Sequence, residues 1–99
     1  MGWSVFWEDE NRHSLLALPV EFVSQTLEIQ RTNQHAWRLL NYLDPYGDCV
    51  FNGPQMDDLI SELFELKKLE PENNAISGLI ELAKKCKSEV HTYIVFYGD

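Results

Sequence analysis

Positive charge is what this sequence has least of. Eight Lys and Arg residues stand against sixteen Asp and Glu, a formal net charge of −8 over 99 residues. Such a balance repels phosphate backbones and anionic lipid surfaces, so neither nucleic acid nor a membrane is expected as a partner. The cationic cluster Lys84, Lys85 and Lys87, broken by Cys86, falls where a helix would end and complements the negative end of its dipole. Cysteine is scarce as well. Cys49 and Cys86 are far apart and form no CxxC, so they are expected as packed thiols rather than a disulfide. No apolar run approaches the roughly 18 residues that a membrane helix needs. Met1-Gly2-Trp3 lacks the positive start of a secretory leader, and Glu8-Asp9-Glu10 soon follows. The cytoplasm is the expected compartment.

Reactive groupings are missing too. His13, His35 and His91 form no HxH, HxxxH or HExxH pattern, so no metal site is expected. Asp44 and Asp48 flank a turn but lack the ligand spacing of a calcium loop. Gly47, Gly53, Gly78 and Gly98 do not build a phosphate-cradling loop. Cys49 and His91 could pair as nucleophile and base, yet no third group is placed to orient them. No catalytic residue, metal or cofactor is therefore expected, and the chain is read as a non-enzyme.

What the chain does have is a core. Hydrophobic residues make up 44% of it and aromatics 12%, enough for one folded domain spanning residues 1–99. Trp3, Val5 and Trp7 alternate with Ser4 and Phe6 as a strand does. Glu8 to Asn11 reads as a turn. Pro19 is placed to open a helix running to about Gln30, with Val20, Val23 and Leu27 on one side, and Arg31–Gln34 as a loop. Trp37–Leu43 fits either a helical stripe or a strand face, and strand is favoured. Asp44-Pro45-Tyr46-Gly47 is a turn, and Cys49-Val50-Phe51 a return strand closing a mid-chain hairpin.

Beyond it, Asn52 or Gly53 can cap a helix with Pro54 at its start. Met56, Leu59, Ile60, Leu63, Phe64 and Leu66 form its apolar stripe. Glu70-Pro71-Glu72-Asn73 breaks the chain before a second helix with Ile76, Leu79, Ile80, Leu82, Ala83 and Cys86 inward and Glu81 reaching Lys85. Val90–Tyr97 is apolar on both faces and reads as an interior strand. The expected fold is α+β: a small, mostly antiparallel sheet of N-terminal strand, mid-chain hairpin and C-terminal strand, packed against an αα-hairpin and one further helix.

One triplet occurs twice, as Tyr46-Gly47-Asp48 and Tyr97-Gly98-Asp99. Each sets an aromatic, a permissive glycine and a carboxylate where an apolar element meets solvent. With Asp44 and Asn52 they give the candidate binding residues: Asp44, Tyr46, Asp48, Asn52, Tyr97 and Asp99.

The run Asp44-Pro45-Tyr46-Gly47-Asp48-Cys49-Val50-Phe51-Asn52, with Gln55 and Leu59, resembles a family of small bacterial proteins of uncharacterised function. His91-Thr92-Tyr93-Ile94, Phe96 and Gly98-Asp99 fit the same pattern. The resemblance covers most of the chain after Trp37 and implies a bacterial cytosolic α+β protein without assigned catalytic residues. In size and charge the chain is also similar to immunity proteins, which neutralise basic toxins. The expected function is an acidic protein-binding domain docking a basic protein, toxin immunity being one form of it. Two alternatives stand beside it: a ligand-binding or enzymatic domain using Asp44, Tyr46, Asp48 and Asn52, with His91, and a self-associating structural subunit.

Overall fold

Alternation builds the sheet. In the computed structural model, which describes residues 2–30 and 37–98 (side chains of 29 and 30 excepted), β1 (Ser4–Asp9) lies between β2 (Ser14–Ala17) and β4 (Thr92–Tyr97). β3 (Asp48–Asn52) pairs with the other side of β4, so the order is β2-β1-β4-β3 with every pair antiparallel. The α+β class holds, and the C-terminal strand is interior, next to the N-terminal one. The expected loop 31–34, His35 and the candidate residue Asp99 lie outside the described residues.

Residues directly opposite in a ladder share a face. Val5 faces Phe96, Trp7 faces Ile94, and Phe51 also faces Ile94. These side chains form the floor of the core, and α2 (Met56–Leu69) and α3 (Asn74–Ser88) cover it. Phe96 sits edge-on to Phe51 and Phe22, with ring centroids 5.7 and 6.1 Å away.

The two helices form where the local chemistry places them. Asn52 and Gln55 make a reciprocal capping box around Pro54, and a 3-10 turn over Gly53–Gln55 leads into α2. Met56, Leu59, Leu63 and Leu66 are buried on its inner face. Asn73 caps α3, its side-chain oxygen accepting from the Ala75 N–H at 3.2 Å. Glu81 pairs with Lys84 at 3.5 Å instead of the expected Lys85. Gly78 lets Leu18 approach α3: a Cβ there would stand 2.8 Å from Leu18 Cδ1.

Three expectations fail, each to a contact distant in sequence. The helix expected over Pro19–Gln30 is reduced to α1 (Gln25–Gln30). Upstream of it, Leu18 donates to the Val5 carbonyl, and Trp3 and Phe22 exchange two backbone hydrogen bonds, which holds the chain extended alongside β1. Ser24 is the first residue free to cap a helix, and its hydroxyl accepts from the Leu27 N–H. That same pairing makes Ser14–Ala17 a strand, so the hairpin in the sheet is β1–β2.

Trp37–Leu43 is not a strand. The backbone N–H groups of Arg38, Leu39 and Leu40 all converge on the Glu62 carboxylate at 3.0–3.2 Å, and Leu40–Tyr42 winds into a 3-10 turn. Donors gathered onto one anion are not free to form a ladder. β3 therefore enters the sheet without the expected mid-chain partner. Among the described residues, no helix is long and apolar enough to cross a membrane.

Candidate functional site: the uncovered sheet face

Helices cover one face of the sheet. The other carries Phe6, Glu8, Val50, Tyr93, Val95 and Tyr97, brought side by side by the register. Glu8 is only 4% exposed, an unusual place for a carboxylate. It is held from two sides. Arg12 Nε donates to its Oε1 at 3.0 Å and the Tyr97 hydroxyl donates to its Oε2 at 2.6 Å. Arg12 Nη2 also donates to Tyr97 Oη at 3.3 Å, which closes the triangle.

Arg12 reaches Glu8 because its backbone occupies the left-handed region, φ 67°, in the turn between β1 and β2. Asp9 fixes that turn by accepting from the N–H groups of Asn11 and His13. These bonds, with the nearby His13 side chain, outweigh partial desolvation and hold the Asp9 carboxyl below its ordinary value. Desolvation raises the Tyr97 phenol above its ordinary range, and Glu8 adds to this against the opposing Arg12. The phenol thus stays protonated and able to donate. The Tyr97 ring lies edge-on to Phe6, 5.5 Å between centroids.

At one end of this face the Tyr46-Gly47-Asp48 segment meets Tyr97 and Gly98. Asp48 and Tyr97 are cross-strand partners, and Gly98 donates to the Gly47 carbonyl at 3.0 Å. A Cβ on Gly98 would stand 2.6–2.7 Å from the carbonyl oxygens of Gly47, Asp44 and Pro45, so the approach requires glycine. The Asp44 carboxylate accepts from the Tyr46 N–H at 2.9 Å in an Asx turn, while the Asp44 carbonyl accepts from the Trp3 indole at 2.9 Å. The corner is therefore rigidly seated on the core, with Asp44, Tyr46 and Asp48 exposed on its outside.

The candidate residues thus divide. Asp44, Tyr46, Asp48 and Tyr97 share one end of the sheet, although the Tyr97 hydroxyl is engaged with Glu8 and Arg12. Asn52 lies at the other end, opposite Tyr93, where its side chain is occupied in the α2 cap. His91, just before β4, is near that second end, while Cys49 faces Phe96 near the first, so the two are not a pair. Burial raises the pKa of both thiols, Cys49 and Cys86, and both are free. Among the described residues, no three His, Cys, Asp or Glu side chains gather as they would around a metal ion.

Glu8 and Arg12 were not among the expected site residues. Their spacing of four hints at a pair, but Tyr97 is 85 residues from Arg12 and nothing local announces it. The basic residues are also unevenly placed. Residues 2–30 and 37–52 carry Glu8, Asp9, Glu10, Glu21, Glu28, Asp44 and Asp48 against only Arg12 and Arg38. Every lysine (Lys67, Lys68, Lys84, Lys85 and Lys87) belongs to the helical hairpin. Comparison with protein-family models, with curated proteins and with solved structures finds nothing that matches this chain.

Proposed function

We propose that this protein is a non-enzymatic binding domain whose sheet side docks a basic protein. The observation that carries the reading is the partition of charge: the lysines are confined to the helices, while the sheet side and its corner present acidic groups beside exposed Tyr46 and Val50, 66% and 47% accessible. Aromatic and apolar groups give an interface its anchors, and complementary charge speeds encounter and rejects wrong partners. A rigid corner loses little freedom on binding, which favours affinity. A narrower form of the reading is toxin immunity in a bacterial cytoplasm, supported by size and acidity alone.

The test is capture from lysate of the source cells at low and high salt, followed by identification and rebinding of the purified partner. A basic protein bound stoichiometrically by the parent, weakened by salt and lost in Asp44→Lys/Asp48→Lys, is the expected result. A partner retained equally by that variant, or no stoichiometric partner at low salt, overturns the proposal. If the partner is a toxin, co-expression restores growth, and failure to do so removes the narrower form.

A further inference from the structure

Tyr93 projects from the central strand β4 onto the uncovered face, half-buried, and its side chain makes no hydrogen bond or ring contact among the described residues. It lines two hollows. One, of about 200 Å³, is shared with Glu10, Arg12, Val50 and Val95, and the other, of about 600 Å³, lies towards Lys87, Glu89 and His91. The smaller is below the roughly 300–1,000 Å³ typical of small-molecule pockets and suits a single side chain.

The charges around the ring do not cancel. Arg12 is paired with Glu8 at 3.0 Å, and Lys87 with Asp57 at 2.6 Å. The carboxylates of Glu10 and Glu89 have no partner among the described residues. Each of the two hollows that Tyr93 lines thus also holds an uncompensated carboxylate. A cation is attracted both to the negative face of such a ring and to the carboxylates. Arginine uses both at once, since its planar guanidinium stacks on the ring while its fork of N–H donors meets carboxylate oxygens.

We propose that Tyr93 is the anchor point of the docking face and that its occupant is an arginine side chain of the basic partner, stacked on the ring between Glu10 and Glu89. This rests on the acidic-docking reading and adds the chemistry of its central contact.

Titration of the isotope-labelled protein with a hexa-arginine peptide at low salt, followed by amide NMR, tests it. The largest shifts are expected at Val50, Tyr93 and Val95. Tyr93→Leu should weaken binding about five- to tenfold, and Tyr93→Phe should stay within about twofold of the parent, because the ring and not the hydroxyl makes the contact. Glu10→Gln/Glu89→Gln, which leaves the ring in place, should also weaken binding, and each variant's own spectrum reports its folding. Shifts centred on Asp44–Asp48, with Tyr93→Leu binding as the parent does, overturn this inference and leave the acidic-docking reading standing. Absence of saturable binding overturns it too, while the wider reading then stands or falls on the Asp44→Lys/Asp48→Lys capture.

Discussion

Phe96 and Val95 are neighbours in β4, both wholly withdrawn from water, and they are withdrawn by different means. Phe96 points beneath α2 and α3 into hydrocarbon, against Phe22 and Phe51. Val95 points the other way, between its cross-strand partners Phe6 and Val50, on the face where Tyr97, Arg12 and Glu8 interlock. Hydrocarbon burial is non-directional and its parts substitute for one another within limits. A polar cover depends on every donor and acceptor finding its mate. The covered face thus supplies most of the stability, while the uncovered face supplies a defined surface.

Substitutions on the two faces put that contrast to the test. Phe96→Ala should cost about 3–5 kcal/mol, the range for truncating a core aromatic, read from urea unfolding. A loss under about 1 kcal/mol would mean that the helices do not seal this face as described. On the uncovered side, Tyr97→Phe keeps the ring against Phe6 but removes one donor from Glu8. A loss of about 1 kcal/mol is expected by the same measurement, and none at all would show that Arg12 alone suffices. Trp7→Phe should change least. The Trp7 indole N–H is buried without an acceptor among the described residues, so its removal offsets much of the lost ring area. Stability within about 1 kcal/mol of the parent is expected, and a larger loss would assign that indole a packing role comparable to Phe96.

The same contrast explains what could be read in advance. α2 and α3 were legible because their signals are local: Asn52 or Gly53 before Pro54, the break at Glu70–Asn73, apolar residues every third or fourth position. The alternation of Trp3, Val5 and Trp7 announced the covered face for the same reason. Trp37–Leu43 misled because Glu62, more than twenty residues on, collects its backbone donors. Val20 and Val23 imitated a helical face, yet both are exposed, since Trp3 and Phe22 hold the preceding chain straight.

Of the candidate site, the repeated Tyr-Gly-Asp triplet marked two segment ends in the sequence, while the contact between Gly98 and Gly47 emerged only in the fold. The grouping of Glu8 with Tyr97, and of Glu10 and Glu89 around Tyr93, needs the sheet register. No spacing in the chain encodes that.

β2 remains at the margin of the sheet, with Leu15 and Leu16 45% and 46% accessible and no ionisable side chain from Ser14 to Val20. Nothing along that strand pushes a second copy away, so the duty of keeping molecules apart falls on carboxylates elsewhere. Partial neutralisation of those carboxylates near the isoelectric point, about pH 4.7, brings the net charge to zero and lowers the long-range barrier between two such margins. Under the docking proposed above, colloidal stability and partner recognition draw on one reserve of anions, and mutations that thin it for one purpose weaken the other.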